Sequence, residues 1–566
     1  MDMKTIWAET LRPEAVLQEY PRPQMKRESY ANLNGLWDYA ITQEDTVPQS
    51  WQGQILVPFS PECVLSGVGK TLQPGQYLWY RRQFAAPEGE RVVLHFGAVD
   101  QVAQVFVNGI SVGGHAGGYT AFSLDITHAL QSENELLVKV RDDSDGSIYA
   151  TGKQRRKHGD IWYPPQSGIW QTVWLEAVPK VYIKRLLLLP QYDSSCLQLT
   201  VFAEQTLPCT AEFGGTTYEG VTNAPITVPV PNFRPWSPED PHLYDISVTL
   251  GEDRVESYFA MRKVEVQKDE HGIKRIFLNG KPYFMNGLLD QGYWSDGMYT
   301  APSDEALIYD IKTMKDMGFN TLRKHIKAEP LRWYYHCDRL GMLVWQDMPN
   351  GGTEPYRFST ISLPLVTKCH HKDDRYGLFS RLSREGREQF ERELEELIVQ
   401  LRNVPSIVLW CPFNEGWGQF DAKKAVERIL SLDATRLIDH ASGWHDQGIG
   451  EFQSIHSYFV KYRFRPDKRG RCVILSEFGG YNHQVTGHCM TGGNRYGGYK
   501  TREALLAHYE SLMLEQILPA KEQGLSACIY TQLSDVENEV NGLLTYDRKV
   551  VKLPVQAVRE INGRLR

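Results

Sequence analysis

Short apolar runs separated by turn signals dominate the first 266 residues. Runs at 92–96, 105–107 and 136–140 are rich in Val, Leu and Phe, and Asn108-Gly109 closes the second of them. No long helical pattern occurs between these runs. The spacing therefore predicts antiparallel β-sandwiches.

The domain boundaries follow from changes in this pattern. A Val-Pro pair at 178–179 comes directly after a strand-like run and marks the end of a first sandwich, residues 1–178. The next strand-rich stretch, residues 179–266, has the length of one smaller sandwich. A different pattern begins at residue 267 and continues through residues 267–566.

Amphipathic helices alternate with short apolar strands in this third part. Ser303 caps a predicted helix whose apolar side chains recur at helical spacing until Gly318. Apolar stripes at 390–401 and 422–430 predict two further helices, each followed by a strand. About 300 residues of this alternation predict a (β/α)8 TIM barrel. The alternative, an open doubly wound sheet, normally has a glycine-rich first turn, and no G-x-G-x-x-G or G-x-x-x-x-G-K-[ST] motif occurs.

In such a barrel the working side chains lie at the carboxyl ends of the strands. Polar residues follow the candidate strands of this chain, beginning with a predicted first strand at 283–285. These polar residues are Asp290, Arg323, His325, Asp347, Asn414, Glu415, His456, Tyr458, Glu477 and Gln532. Because the strand ends meet on one rim, we expect a polar site there.

Glu415 and Glu477 stand out because each directly follows an apolar strand. The stretch between them has room for roughly two or three βα units, so their carboxylates can face each other across the barrel mouth. Glycoside hydrolysis uses such a pair, one as acid and the other to attack the sugar or to activate water. Spacing alone leaves open whether the pair would retain or invert configuration. A single glutamate in this pattern is more often solvated or ion-paired.

Composition narrows the classes of partner. With 62 basic and 69 acidic residues the formal net charge is −7, which gives no electrostatic support to a nucleic-acid or anionic-membrane partner. No apolar run reaches the length of a membrane span and no signal peptide is recognisable, so we expect a cytoplasmic protein. Nine scattered cysteines without a C-x-x-C pair are expected to be reduced thiols.

Aromatic residues make up 11% of the chain, and flat rings serve both as core fillers and as platforms for sugars. Those expected to pack inside the sandwiches are Trp37, Trp162, Trp170, Trp174 and Trp236. Those expected beside the paired glutamates are Trp294, Trp417, Tyr458 and Tyr530.

Several motifs resemble those of glycoside hydrolase family 2, which contains β-galactosidases, β-glucuronidases and β-mannosidases. The matching stretches lie at 19–23, 33–37, 167–174, 236–244, 261–263, 414–417 and 476–479. The two most specific are Asn-Glu-Gly-Trp at 414–417 and Ser-Glu-Phe-Gly at 476–479. The resemblance covers nearly the whole chain. It implies a sugar-binding jelly roll, an immunoglobulin-like sandwich and a TIM barrel, in that order.

The family is retaining, so the resemblance implies that Glu415 is the acid/base and Glu477 the nucleophile. Tyr458 resembles a family tyrosine that donates a hydrogen bond to the nucleophile. Asn414 precedes the acid/base, where the family has a donor to the sugar 2-hydroxyl. Arg323 follows the second strand, where related enzymes keep an arginine near the nucleophile.

The remaining rim residues are candidates for substrate binding. Asp290 matches a position that often contacts sugar hydroxyls. The weaker candidates are His325, Asp347, His456, Trp417 and Gln532. A histidine on a barrel rim is more often a packing or hydrogen-bonding residue than a ligand contact.

No metal or cofactor is expected. The triplet at 369–371, Cys-His-His, lies in a loop-like stretch, and His483, His488 and Cys489 lack a second ligand pair at zinc spacing. Some β-galactosidases of the family bind magnesium through an acidic residue and a histidine after the third strand. The corresponding stretch here, 345–349, has no histidine.

Whether the sugar is acidic or neutral is predicted from the absence of a late Asn-x-Lys motif. Glucuronidases of the family hold the sugar carboxylate with an Asn-x-Lys motif late in the barrel, but the only such motif here is at 279–281. This absence counts against a glucuronide, although Arg495 or Lys500 could reach in from the loop at 482–500. A neutral sugar is therefore favoured, and the first prediction is a retaining exo-β-D-galactosidase.

Other functions are kept as alternatives to that prediction. They are the family specificities β-glucuronidase, β-mannosidase, arabinosidase and galactofuranosidase, and a catalytically inactive carbohydrate-binding protein. The expected partner is an oligosaccharide or glycoconjugate substrate. Homo-oligomers are common in the family, so the resemblance allows one here.

Overall fold

The computed structural model describes residues 3–352, 356–367, 369–458, 460–490 and 498–566. In it two β-sandwiches precede a parallel eight-stranded barrel, which confirms the predicted fold class and the order of the folds. The alternative of an open doubly wound sheet is therefore wrong.

The first sandwich is the jelly roll, and two antiparallel sheets enclose its core. Its strands are β1 (Ala31–Asn32), β2 (Gly35–Thr42), β3 (Gly53–Val57), β4 (Tyr77–Phe84), β5 (Arg91–Phe96), β6 (Val99–Asp100), β7 (Val102–Val107), β8 (Ile110–Ala116), β9 (Phe122–Asp125), β10 (Asn134–Arg141), β11 (Gly168–Ile169) and β12 (Val173–Val178). One sheet has the order β1-β12-β5-β9 and the other β3-β2-β4-β10-β7-β8. Alternating apolar side chains of β7 and β10 point inward, as the period of two predicts.

The second sandwich is the immunoglobulin-like domain. Its strands are β13 (Arg185–Gln191), β14 (Cys196–Phe202), β15 (Pro208–Phe213), β16 (Thr216–Val221), β17 (Pro225–Pro229), β18 (Tyr244–Leu250) and β19 (Asp253–Phe259). The sheets β13-β14-β17 and β16-β15-β18-β19 enclose a separate apolar core. A short antiparallel sheet then leads to the barrel, and it consists of β20 (Val264–Lys268), β21 (Lys274–Leu278) and β22 (Lys281–Pro282).

Eight parallel strands form a nearly closed barrel. They are β23 (Met285–Asp290), β24 (Thr321–Lys324), β25 (Leu343–Asp347), β26 (Ile407–Cys411), β27 (Leu437–Ile438), β28 (Phe452–Ser457), β29 (Cys472–Gly479) and β30 (Leu525–Thr531). Neighbours in the order β27-β26-β25-β24-β23-β30-β29-β28 are hydrogen-bonded, so the one open seam lies between β27 and β28. The first strand begins two residues later than the predicted 283–285, and Asp290 is its last residue rather than a loop residue.

Helices pack around the strands. They are α1 (Asp304–Asp316), α2 (Leu331–Leu340), α3 (Phe358–Ile361), α4 (Leu363–Val366), α5 (Arg384–Leu401), α6 (Ala422–Leu432), α7 (Arg502–Leu512), α8 (Leu518–Gln523) and α9 (Val555–Gly563). The predicted cap of α1 is present, because Ser303 Oγ accepts a hydrogen bond from the Ala306 backbone N–H at 3.2 Å. The stripes at 390–401 and 422–430 fall within α5 and α6 as predicted.

Buried polar contacts join the three domains. Arg27, which precedes β1, binds Glu176 of the jelly roll at 2.8 Å and Asp253 of the second sandwich at 2.8 Å. Arg262 donates to the backbone carbonyls of Pro405 and Ile407 at the entrance of β26. The second sandwich is therefore joined to the jelly roll by Arg27, and the segment that follows it is joined to the lower end of the barrel by Arg262.

None of the helices in the described part of the chain combines the length and apolarity that crossing a bilayer requires. All nine cysteines are among the described residues, and they form no disulfide.

Candidate active site

Glu415 lies on a sharp turn just beyond strand β26. Its backbone N–H donates to Ser442 O at 2.9 Å, which continues the pairing of the strands past their ends. Glu415 and Gly416 both have left-handed backbone, with φ of 50° and 73°. A Cβ atom at position 416 would lie 2.5 Å from the His445 ring, so glycine is required there. A left-handed glutamate held in this way is the kind of local strain that clusters at functional sites.

Glu477 lies within strand β29, and both of its carboxylate oxygens are bound. Arg323 Nη1 donates to Oε1 at 3.1 Å, and Tyr458 Oη donates to Oε2 at 2.7 Å. Tyr458 Oη is also 2.8 Å from Thr531 Oγ1, which fixes the phenol from the other side. Hydrogen bonds to a carboxylate favour its charged form.

His456 lies between the two glutamates. Its Nδ1 is 2.9 Å from Glu415 Oε1 and 3.4 Å from Glu477 Oε2, and all three atoms can be chosen within 4.8 Å of one another. A register shift between β28 and β29 sets His456 beside Glu477. The inverting arrangement needs about 6.5–9.5 Å between carboxyl groups to admit water, whereas retaining pairs are about 5–5.5 Å apart. One carboxylate oxygen of Glu415 lies within 4.8 Å of one of Glu477, a contact that favours the retaining arrangement.

The environment pushes the pKa values of the two glutamates in opposite directions. Burial and the charge of Glu477 raise the pKa of Glu415, although His456 and Lys153 partly oppose them. Burial alone would also raise the pKa of Glu477, but His456 and Arg323 outweigh it and lower that pKa below the ordinary value. One carboxyl is thus favoured as a proton donor and the other as an anion.

Arg323 is the central cation of the site and is almost completely buried. Besides Glu477, its guanidinium binds Asp347 Oδ1 at 3.0 Å and Asn414 Oδ1 at 2.8 Å. A guanidinium only donates, so it fixes the carbonyl side of the Asn414 amide. The amide nitrogen, Nδ2, is buried without an acceptor among the described residues and remains as a donor beside Glu415.

His325 and Asp347 form a buried pair behind this cluster. His325 Nδ1 is 2.7 Å from Asp347 Oδ2, so the carboxylate orients the imidazole. Burial, with the nearby charge of Lys153, lowers the pKa of His325 well below its usual range. His325 is therefore favoured in its neutral form.

Two other rim residues from the sequence are engaged in internal contacts. Asp290 Oδ2 binds Lys324 Nζ at 2.7 Å, and its Oδ1 accepts from the Gly292 backbone N–H at 2.9 Å. Gln532 Oε1 accepts from Gln291, and its Nε2 donates to Asn541. Sugar contacts by these two side chains stay predictions.

The aromatic residues are distributed differently from the prediction. Trp37 packs in the jelly-roll core as expected, but Trp162 does not, because its ring lies 4.8 Å from that of Trp417 on the barrel rim. Trp170 and Trp236 also pack against the barrel rather than within the sandwiches. The prediction was wrong for these three residues because they lie in loops and at domain joints. A pattern of strands does not predict where such residues pack.

The expected aromatic platforms also differ among themselves. Trp417 is buried beside Glu415, and its indole Nε1 has no acceptor among the described residues. Trp294 instead packs under the Arg548 guanidinium, 4.3 Å from its ring centroid. Tyr530 packs edge-on against Phe478. Of these three, only Trp417 lies beside Glu415 and also has a polar atom without a partner among the described residues.

Sequence reasoning missed Lys153 as a site residue. It belongs to the long jelly-roll loop between β10 and β11, and its ammonium lies 5.5 Å from the centroid of Trp417. No sequence signal marks it, because the loop reaches the barrel only through the packing of two domains. Its charge acts on both Glu415 and His325.

Potential metal donors coincide with the catalytic candidates. Within the described ranges, the one group of three clustered donors is Glu415, His456 and Glu477. We assign no ion to it because a guanidinium and a phenol already bind the oxygens of Glu477. In the triplet at 369–371, Cys369 Sγ lies 3.5 Å from His371 Nε2 and no third donor joins them among the described residues.

Of the two cations considered for a sugar carboxylate, Lys500 is exposed and Arg495 lies outside the described residues.

Three family models match the chain in order. They are the glycosyl hydrolase 2 galactose-binding domain-like model at residues 72–171, the glycosyl hydrolases family 2 model at 196–262 and the family 2 TIM barrel model at 266–470. Together they cover about two thirds of the chain.

Curated relatives are similar over much of this chain. A putative β-glucuronidase of Formosa agariphila is 27% identical over 439 residues, which are 70% of this chain and 47% of the relative. A β-galactosidase of Thermoanaerobacter pseudethanolicus is 26% identical over 399 residues, 63% of this chain and 47% of the relative. The chain thus spans about half the length of these relatives.

Solved structures share the whole fold. A β-D-glucuronidase of Dictyoglomus thermophilum superposes with a TM-score of 0.72 at 18% identity and covers 96% of this chain and 98% of its own. A family 2 β-galacturonidase of Eisenbergiella tayi gives 0.71 at 18% identity, with 97% and 99% covered. With three consecutive domain models of one family and this shared architecture, the chain belongs to glycoside hydrolase family 2.

Proposed function

We propose that the chain is a retaining exo-β-glycosidase that hydrolyses terminal non-reducing sugars by double displacement. The observation that carries this proposal is the geometry of the two glutamates. Arg323 and Tyr458 bind Glu477 and favour its ionised form, and Glu415 lies close to it in a setting that raises the pKa of Glu415.

Each residue then has a defined role in the first step. Glu477 attacks the anomeric carbon while Glu415 gives its proton to the leaving oxygen, which breaks the glycosidic bond and forms a glycosyl ester on Glu477. His456 Nδ1 lies 2.9 Å from Glu415 Oε1, and no described residue binds the other carboxyl oxygen, so we assign that oxygen to the contact with the leaving group. In the second step Glu415 accepts a proton from water, and the water oxygen releases the sugar with its configuration retained.

The buried donors beside the glutamates support a sugar ligand. Asn414 Nδ2 and Trp417 Nε1 lack acceptors among the described residues, and buried donors without partners are costly unless a ligand satisfies them. We assign the Asn414 amide to a sugar hydroxyl next to the anomeric carbon. Trp417 supplies an adjacent apolar wall.

We propose that the substrate is a β-glycoside and leave its sugar to the experiment below. The relatives include proteins named β-galactosidase and β-glucuronidase, so the β-D-galactoside favoured by the missing Asn-x-Lys motif and a β-glucuronide have comparable support. The partner is then an oligosaccharide or a glycoconjugate. No feature of the site calls for a nucleic acid.

A panel of chromogenic glycosides tests the proposal. It contains 4-nitrophenyl β-galactoside, β-glucuronide, β-mannoside and β-xyloside, and arabinosides in both ring forms. We expect turnover of at least one, and Glu477→Gln should lower it by several orders of magnitude while the melting temperature stays close to that of the wild type. If sugars bind but no glycoside is cleaved, the chain is a carbohydrate-binding protein and the proposal is wrong.

A further inference from the structure

A loop of the jelly roll places Lys153 at the mouth of the barrel. The backbone N–H groups of Thr151 and Gly152 both donate to Asn350 O, at 3.0 and 2.8 Å, which ties the loop to the rim just beyond β25. Gly152 has φ of 59°, and a Cβ there would lie 2.9 Å from Ile326 O beyond β24. Lys153, the next residue, is therefore held at the catalytic face by backbone contacts that do not depend on its own side chain.

Lys153 is 5% exposed and has no counter-ion among the described residues. Its Nζ lies 5.2 Å from the ring centroid of Tyr163 and 5.5 Å from that of Trp417. Tyr163 donates to Glu539 at 2.6 Å, so that carboxylate is engaged by the phenol. No carboxylate of the described residues lies within ion-pair distance of the Lys153 ammonium.

The other buried lysines of the described chain differ in this respect. Lys324, Lys327 and Lys552 each have a carboxylate oxygen within 2.8 Å. A buried ammonium is strongly unfavourable unless it is paired, and contacts with aromatic faces replace only part of the lost hydration. Within the part of the chain that the structure describes, the ammonium of Lys153 thus has no carboxylate partner.

The position of Lys153 connects it with the reacting groups. Trp417, whose face it covers, comes two residues after Glu415. The charge of Lys153 lowers the pKa of Glu415, so the ammonium acts directly on the proposed acid. An anion that neutralised Lys153 would remove this effect and favour the protonated acid. Binding of a charged substrate and readiness of Glu415 would then be coupled.

We propose that Lys153 binds a singly charged oxyanion on the substrate, so that the preferred substrates are acidic glycosides. This inference rests on the proposed glycosidase function and names its substrate class. Two groups supply that chemistry on a sugar, the carboxylate of a uronic acid and a sulfate ester, and both pair with an ammonium held in a partly dry site. The neutral sugar favoured by the missing Asn-x-Lys motif is then not the preferred substrate, because the cation comes from another domain.

Kinetics of two variants on matched substrates test this role. Lys153→Met keeps the apolar stem against the two rings and removes the charge, whereas Lys153→Arg keeps the charge. The substrates are 4-nitrophenyl β-glucuronide, β-galacturonide, 6-sulfo-β-galactoside and the neutral β-galactoside and β-glucoside. Lys157→Met, an exposed position of the same loop, is the control.

We expect the wild type to prefer either the uronides or the sulfated sugar, and this preference identifies the anion. Lys153→Met should lower kcat/KM on that substrate by at least about 30-fold, the usual loss for one partner of a buried charge pair, and change it on neutral sugars by less than about threefold. Lys153→Arg should restore part of the activity. On a neutral substrate, Lys153→Met should also move the alkaline limb of the pH profile upward, which a purely packing role would not do.

Three outcomes distinguish the role of Lys153, the acidic substrate class and the glycosidase function from one another. Equal losses on charged and neutral substrates would mean that Lys153 only supports the loop. A wild-type preference for neutral sugars would refute the substrate class while leaving the glycosidase intact. If nothing is cleaved, calorimetric titration with glucuronate, galacturonate and galactose 6-sulfate still tests Lys153, because binding lost in Lys153→Met upholds its role when the proposed function has failed.

Discussion

At the scale of single residues, the site depends on two identical side chains with different surroundings. Glu477 is surrounded by donors and Glu415 is buried against a carboxylate, so the pKa values of two residues of the same type shift in opposite directions. The strand-end pattern put Arg323 and Tyr458 on the same rim as Glu477, and both side chains contact that carboxylate. It could not predict which oxygen or nitrogen each contact uses, because that follows from rotamers and from the register shift beside His456.

Replacing Glu415 with glutamine is expected to remove the alkaline limb of the pH profile. In the proposed mechanism, activity requires ionised Glu477 and protonated Glu415. We therefore expect wild-type kcat/KM to fall at low pH as Glu477 binds a proton and at high pH as Glu415 loses one. On a glycoside with a good leaving group, Glu415→Gln should keep the acidic limb and lose the alkaline one. With poor leaving groups the loss should reach about 10²–10⁴-fold. An alkaline limb that persists unchanged in the variant would assign it to another group.

At the scale of elements, regular structure was predictable and connections were not. The capped helix α1 and the strands β24 to β26 lie where periodicity places them, because each has a clear apolar face. The loop that carries Lys153 has no such periodicity. Its position comes from contacts with Asn350 and Ile326, which belong to another domain and lie about 200 residues away.

A glycine in that loop offers a test of the coupling. Gly152→Ala should lower kcat/KM by about 10²-fold, because a Cβ would lie 2.7 Å from Tyr119 Oη and 2.9 Å from Ile326 O and displace Lys153 from the rim. Gly214→Ala is the matched control, since its φ of 57° is close to the 59° of Gly152 but no atom lies within 4 Å of the added Cβ. Steady-state kinetics on the best panel substrate measures both. Equal effects in the two variants would show that backbone strain alone is responsible.

At the scale of the whole molecule, the barrel rim is completed by the jelly roll, and the joint between the sandwiches sets how that domain sits. Glu176 is fully buried there and binds Arg22, Arg27 and the Trp174 indole. The composition and the strand pattern predicted three domains but not their joints. Joints depend on single buried contacts between residues far apart in sequence.

Glu176→Gln is expected to destabilise the protein by about 3–5 kcal/mol at pH 7, because it removes the carboxylate that binds Arg22 and leaves the buried Arg27 guanidinium with Asp253 alone. Burial opposes ionisation of Glu176, but Arg22, His95 and Arg27 outweigh it and hold its pKa far below the ordinary value. Its stabilisation is therefore present above the unfolded pKa of about 4.3 and is lost as the pH falls further.

Urea unfolding across this pH range measures the effect. The difference between wild type and Glu176→Gln should narrow as the pH drops below about 4. Glu256→Gln, which removes an exposed pair with Lys26, should cost no more than about 1 kcal/mol. A loss from Glu176→Gln as small as that of the control would mean that the joint does not depend on this carboxylate.

The most direct test of the central claim is to trap the glycosyl-enzyme. An activated 2-deoxy-2-fluoro glycoside of the sugar identified by the panel should label the protein once per chain, and mass spectrometry of the digested protein should place the label on Glu477. The label should be lost slowly in buffer, with retention of configuration in the released sugar. Hydrolysis with inversion, or a label on a residue other than Glu477, would contradict the account.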